Sequence, residues 1–392
     1  MKAIGPLHIV RLPWLNALIP MCLLLGVILS TSGYAQEVTG NAPTEEQTEA
    51  NEEAATPPKL KPWLITPTLS ADPKLGANVG GLIAYLKKLD AESTPSMTGL
   101  SVSYSDTDSM TGALFSQLYW KADSRRLGLL AAGAEINNEY DDFLGAGQTV
   151  ETQDNVQTFG FRYLHKFRPG GWFVGVQGIS TNYAVGADGI LEGALNQIGL
   201  SGFDATGLGL VFQLDTMDNQ RDPSSGHLHT LHNLAYRESL GGETSFDVGY
   251  ADLRWYRSIE RFSVGKSGRS PVIAIQLKGR FTADAPLSGY SSVNLPGYTM
   301  GNYLSRHYSH VLVDARIPLK GKLGLVAFGG VGCQFGEDIA GRDLSCGDVT
   351  FLSVGVGVSY MLKAEASVLI RLEIAKGKSD NEALYLRFGH SF

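Results

Sequence analysis

Three clustered histidines, two cysteines and a set of regularly spaced charges are the residues of this 392-residue chain whose types and spacing bear on chemistry. His227 and His229 stand two apart, so on an extended segment they share a face and offer two nitrogens to a metal, with His232 nearby. No zinc spacing completes the set, and turn or lumen positions explain the three equally well, so no metal is expected. Serines, histidines and acids suit a membrane-embedded hydrolase of phospholipase type. Yet no Gly-x-Ser-x-Gly elbow is present, and strand patterning brings no Ser–His pair together. Neither a P-loop nor a dinucleotide fingerprint appears. The chain reads as a non-enzyme without a cofactor.

The charges are more informative. Asp252, Arg254, Lys278, Arg280, Asp314, Arg316, Arg371 and Glu373 all fall on the polar side of runs whose period is two. Leu208, Leu210, Phe212 and Leu214 alternate with glycines and Gln213; Ile273, Ile275, Leu277 and Phe281 alternate with Gln276, Lys278 and Arg280. The same holds for Val311, Val313, Ala315 and Ile317, for Leu352 to Tyr360, and for Val368 to Ile374. One apolar face opposite one polar or glycine face defines a half-buried strand. Sixteen such segments are expected, near 63–70, 76–87, 97–106, 110–120, 126–138, 154–167, 172–184, 205–217, 227–239, 246–258, 271–282, 306–318, 323–335, 350–362, 367–376 and 383–392. The charges either pair across a water-filled lumen and hold its shape, or form a passage or client surface; both readings stand.

Composition bounds the class. Apolar residues make up 43% and charged residues 18%, too rich in the first and too poor in the second for a disordered chain. One long apolar block exists, from Leu15 to Leu29, behind Lys2 and Arg11 and ahead of Gly33-Tyr34-Ala35. Residues 1–35 therefore read as a signal peptide cleaved after Ala35. Removing it leaves 30 basic against 39 acidic residues, net −9, with no footprint for nucleic acid. Residues 36–61 carry Glu37, Glu45, Glu46, Glu49, Glu52 and Glu53 and read as an acidic, disordered periplasmic linker. In an oxidising compartment Cys333 and Cys346 are expected to form a disulfide, closing a loop of about 14 residues that contributes about 3 kcal/mol.

The spans match the 9–11 residues with which a tilted strand crosses a membrane, whereas strands of soluble sandwiches run nearer 5–6. The expected fold is all-β, a transmembrane antiparallel β-barrel of about 16 strands over residues 62–392. An even count returns both ends to one side, as in bacterial outer-membrane barrels. At the C-terminus Leu384, Leu386, Phe388 and Phe392 are expected to share one face, and Phe388 and Phe392 resemble the terminal signal read by the outer-membrane barrel assembly machinery.

Three stretches of the second half resemble the BamA/TamA-type outer-membrane family, also called the bacterial surface antigen barrel family. Asp215-Thr216-Met217-Asp218-Asn219, leading to Arg221, Asp222, Pro223 and Gly226, is similar to the family's acidic segment ending in Pro-x-x-Gly. Leu295-Pro296-Gly297-Tyr298, followed by Gly301, Tyr303 and Arg306, resembles the tip of the sixth outer loop, Val/Leu-Arg-Gly-Phe/Tyr, which folds back into the lumen. Phe328, Gly330 and Gly332 are similar to the facing Phe-x-Asp-x-Gly strand. The departures are Pro296, where the family has arginine, and Gly330, where it has aspartate. Those two positions form an ion pair in the family, and both partners are gone together here, as the cost of an unpaired buried charge requires. The latch is thus expected to be altered, with the loop entering through Tyr298 and glycine contacts. The family's periplasmic repeats also have no counterpart ahead of residue 62, so the chain resembles a short form.

The resemblance implies an assembly or translocation factor in the bacterial outer membrane, acting on unfolded outer-membrane protein or on lipid through a weak seam between first and last strands. The other two readings are a passive porin-like pore and a surface antigen or adhesin without a transport role.

Overall fold

The computed structural model describes residues 62–72, 76–140, 150–187, 202–259, 269–298, 303–338, 340–378, 381–390 and 392. The expected signal peptide and acidic linker lie outside them. Sixteen antiparallel strands form a nearly closed barrel. They are β1 (Trp63–Asp72), β2 (Gly76–Lys87), β3 (Ser96–Ser105), β4 (Met110–Trp120), β5 (Arg125–Tyr140), β6 (Val150–Arg168), β7 (Trp172–Ala187), β8 (Gly202–Asp215), β9 (Gly226–Tyr236), β10 (Phe246–Ser258), β11 (Val272–Ala283), β13 (Leu304–Pro318), β14 (Leu323–Asp338), β16 (Thr350–Lys363), β17 (Val368–Lys376) and β18 (Glu382–Phe388). Two further strands of two residues each, β12 (Ser291–Ser292) and β15 (Asp343–Leu344), lie within connections and left no trace of alternation to read. No described helix is long and apolar enough to cross a membrane.

Burial runs opposite to that of a soluble sandwich. Leu208, Leu210, Phe212, Val354, Val356 and Ile374 are exposed, while Gln213, Asp314, Arg371 and Glu373 are fully buried. Apolar outside and polar inside is the arrangement a bilayer selects. Aromatic side chains mark the outer face near the end where β1 begins and β18 finishes (the terminal end below), with Trp63 packed edge-on against Tyr85 and His229 against Trp255. His227 and His229 belong to this outer face, and no group of metal-ligating side chains occurs among the described residues.

The wall is uneven in height and in closure. β6 runs for 19 residues, and its outward positions change from Phe159 and Phe161 to Gln153, Asn155 and Gln157 toward the loop end. β17 and β18 have nine and seven residues. β5 and β6 pair from Arg125–His165 to Tyr140–Val150, whereas β1 and β18 share only Ser70–Tyr385 and Ala71–Leu384. Trp63 to Leu69 therefore pair with β2 alone.

Candidate functional site

Among the described residues, three inserted segments meet in the lumen of the second half. From the loop end comes the connection between β11 and β13, which turns at Leu287–Gly289, adds β12 to β13, and then descends inside the wall. From the opposite end, where β1 begins, come the connection between β8 and β9 and the described residues beyond β18. Their apolar side chains form one buried cluster, with Val293, Leu295 and Tyr298 from the loop joined by Met217 and Phe392.

The loop tip rests on a pair of small residues. Gly330 on β14 and Ser353 on β16 are direct cross-strand partners. A Cβ at Gly330 would lie 2.9 Å from Leu295 Cδ2, so the glycine makes the seat for that leucine. Ser353 Oγ donates to Pro296 O at 2.5 Å. Gly297 adopts φ +92°, and a Cβ there would press on the backbone of Lys376 and Gly377, so no other residue fits well. Its N–H donates to Tyr385 Oη at 3.1 Å. Tyr298 packs perpendicular to Phe351, donates to Leu352 O at 2.8 Å and accepts from Lys378 N–H at 2.7 Å. An apolar seat, a hydroxyl and backbone groups occupy the positions where the resembled family has an ion pair. They tie the loop to β14, β16 and the β17–β18 hairpin. Of the facing-strand residues, Phe328 lies beneath Gly355 and Gly332 leaves room for the Tyr308 ring.

The inward charges divide into two groups. Toward the terminal end, Asp314 accepts both terminal nitrogens of Arg371 at 3.0 and 2.8 Å and Arg316 Nε at 2.8 Å. Arg371 also contacts Glu373, which Arg387 Nε reaches at 3.2 Å. Asp314 and Arg371 are separated by two intervening strands, so their pair braces the barrel across its curvature. Higher in the lumen, Arg254 grips Asp252 with Nε at 2.9 Å and Nη2 at 2.5 Å, and Gln276 Nε2 donates to Asp252 at 2.8 Å. Arg280 donates to Ser291 Oγ at 3.1 Å, linking this level to the root of the loop. Lys278 sits opposite Asp252 in register.

The acidic segment 215–226 becomes a strap across the terminal end. Arg126 holds Asp215 at 2.7 Å, and Asp218 accepts from Ser224 and Ser225 to fold the turn. Arg221 Nη1 donates to Ala366 O at 3.0 Å and Nη2 to Pro95 O at 2.8 Å. Those two carbonyls lie ahead of β17 and β3, on opposite flanks of the β18–β1 seam. Asp222 accepts from His390 Nε2 at 2.7 Å, and His390 Nδ1 accepts from Arg371 Nη1 at 3.2 Å. Both bonds suit a neutral imidazole, and burial lowers His390 to about 4. Burial alone would raise the Asp222 carboxyl, but the His390 hydrogen bond and nearby Arg316 and Arg269 leave it below the ordinary value.

One sequence expectation changes here. Leu384 points outward as expected, but Phe392 does not share its face: Gly389 takes φ +78° and turns the chain, and Phe392 packs in the lumen near Tyr256. Phe388 is half-buried against Leu64, Leu82 and Val368 at the seam. His390, Arg387 and Arg126 were not foreseen; the alternate face of β18 would have pointed to Arg387. Cys333 and Cys346 are disulfide-bonded, with Cα atoms 5.1 Å apart.

A sixteen-strand antiparallel wall, apolar outside and charged inside, with a lumen-filling loop, defines an outer-membrane barrel fold. CdiB from Acinetobacter baumannii shares it with TM-score 0.56 and 11% identity, over 84% of this chain and 60% of that one. CdiB from Escherichia coli gives 0.54 and 11%, over 84% and 63%. The chain thus spans about three fifths of those proteins. A BamA structure from Haemophilus ducreyi lacking POTRA domains 1–3 gives 0.49 and 12%, over 83% and 69%. At such identities the likeness is one of fold. No family model and no curated protein matches the chain.

Proposed function

We propose that this chain is a non-enzymatic outer-membrane assembly or translocation factor that presents the edge between β1 and β18 to an unfolded barrel protein or a lipid. The observation that carries the reading is the seam itself: two register partners close it, and the N-terminal part of β1 is laddered to one neighbouring strand, β2. Unpaired strand edges are templates for another strand. The loop anchored on Tyr385 and Lys378 holds the last hairpin in place while leaving that edge available. The lumen filled by loop and strap speaks against a wide passive pore.

Ala71→Cys with Leu384→Cys places a disulfide across the seam. The closed form should lose its assembly activity, read as outer-membrane protein content of cells that depend on it, and regain it on reduction. A closed seam with unchanged activity would sink the proposal, and large stable conductance steps in planar bilayers would favour the pore instead.

A further inference from the structure

We infer that the mid-lumen wall binds a protonated oxyanion of the hydrogen phosphate class between Lys278 and His310. One inward row crosses five strands in continuous register: Gln213, Thr230, Asp252, Lys278 and His310. With the neighbouring Arg162, Arg254 and Arg280, the belt carries four cations against one carboxylate among the described residues, in a chain of net charge −7. The terminal group differs, with Arg316, Arg371 and Arg387 matched by Asp314, Glu373 and Asp222. Arg162 and Lys278 both lie within electrostatic reach of Asp252, which is already held by Arg254 and Gln276.

Two polar groups of neighbouring register are left over. Half-buried Lys278 makes no hydrogen bond or ion pair among the described residues. Its cross-strand partner His310 is buried, 4% exposed, and its Nδ1 has no partner. A buried polar group without a partner is unfavourable and calls for a ligand or an ordered water. The chemistry of that ligand follows from the hydrogen bonds. Because Gln276 gives its amide N–H to Asp252, its Oε1 faces His310 and accepts from Nε2 at 3.4 Å. His310 Nδ1 is then a lone pair that accepts. A site pairing an ammonium donor with a neutral imidazole acceptor suits an anion that still carries a proton: hydrogen phosphate offers both an anionic oxygen and an O–H, whereas sulfate at neutral pH offers no O–H. The row stands on β8 to β13, away from the seam, so we assign the free ion rather than a lipid headgroup.

The test is calorimetric titration of the full refolded chain in detergent at pH 7.5 with sodium phosphate, with sodium sulfate, and with dihexanoyl phosphatidic acid. Phosphate should bind at least tenfold tighter than sulfate. Lys278→Met should abolish phosphate binding while heat-modifiable migration is kept, and His310→Phe should lower phosphate to the sulfate level. Equal affinity for sulfate, or full binding by Lys278→Met, overturns the proposal; tighter binding of the short-chain phosphatidic acid overturns the free-ion assignment. Should Lys278→Met fail to fold, a phosphate-dependent shift of the His310 imidazole resonances in the unaltered chain decides, and its absence counts against the site.

Discussion

The wall around β5, β6 and β7 and the wall around β17, β18 and β1 are built from the same alternating strands yet are held by different forces. In the first, long strands share backbone ladders along their whole length, from Arg125–His165 to Tyr140–Val150. In the second, two register partners remain, and side chains do the rest. Leu64, Leu82, Ala84 and Leu86 meet Ala366 and Val368 in an apolar cluster, Lys363 Nζ donates to Trp63 O at 2.6 Å, and Arg221 spans both flanks. Backbone ladders are cooperative along a strand, whereas each such side-chain contact can be lost singly. The barrel is therefore closed everywhere by its backbone except where side chains can release it.

The sharpest way to test that contrast is to remove its brace. Arg371→Ala takes the shared arginine from two buried carboxylates, leaving Asp314 with Arg316 alone and Glu373 with Arg387 alone; destabilisation of about 3 kcal/mol is expected, read as the temperature at which the folded band disappears on gels. Next, Gly330→Leu fills the seat of Leu295 and should cost about 1–3 kcal/mol by overpacking. Amide exchange at Leu384 to Leu386 should quicken while β5 and β6 stay protected. Arg221→Ala removes two charged hydrogen bonds, about 1.5–3 kcal/mol each at most, and should speed exchange in β1. If β5 and β6 loosen as much as β1, the contrast drawn above is wrong.

Acid should act in the same direction with a smaller effect. His390 has its folded value depressed to about 4, so the unfolded chain binds the extra proton first as pH falls. Its contribution is complete above the ordinary histidine value of about 6.5 and is lost between there and about 4. Asp222, also depressed, contributes above the ordinary carboxylate value, and its contribution is lost as pH falls through its folded value. The melting temperature should decline below pH 6.5, and His390→Phe should make that decline shallower; an unchanged profile in the variant would exclude His390 as a contributor.

Much of this fold was legible because a two-residue period survives in any strand with unlike faces. Leu352 to Tyr360 and Val368 to Ile374 announced both their conformation and their apolar side. The position of Leu295 to Tyr298 between the eleventh and twelfth wall strands was legible for the same reason. What could not be read are partners far apart in the chain without any period, such as Arg221 with Pro95 or His390 with Asp222. Phe392 was misplaced because extrapolating the alternation past Phe388 ignored Gly389, where the chain turns inward. Tyr385 and Arg387 alternate with Leu384 and Leu386 on β18, so the inner face of that strand was legible in the same period.

The height of β6 has a consequence for the molecule's outline. Its outward apolar stretch begins near Phe159, and the residues from Gln157 back to Val150 stand beyond it. At about 3.3 Å per residue and a tilt of about 40°, that is a ridge some 15–20 Å tall. Among the described residues no such ridge flanks β18. Seen from the loop end, the described wall is a crescent-shaped parapet with a low side at the seam. A bulky ligand such as an antibody would find the parapet first, and atomic force images of reconstituted bilayers should show a one-sided crest instead of a ring.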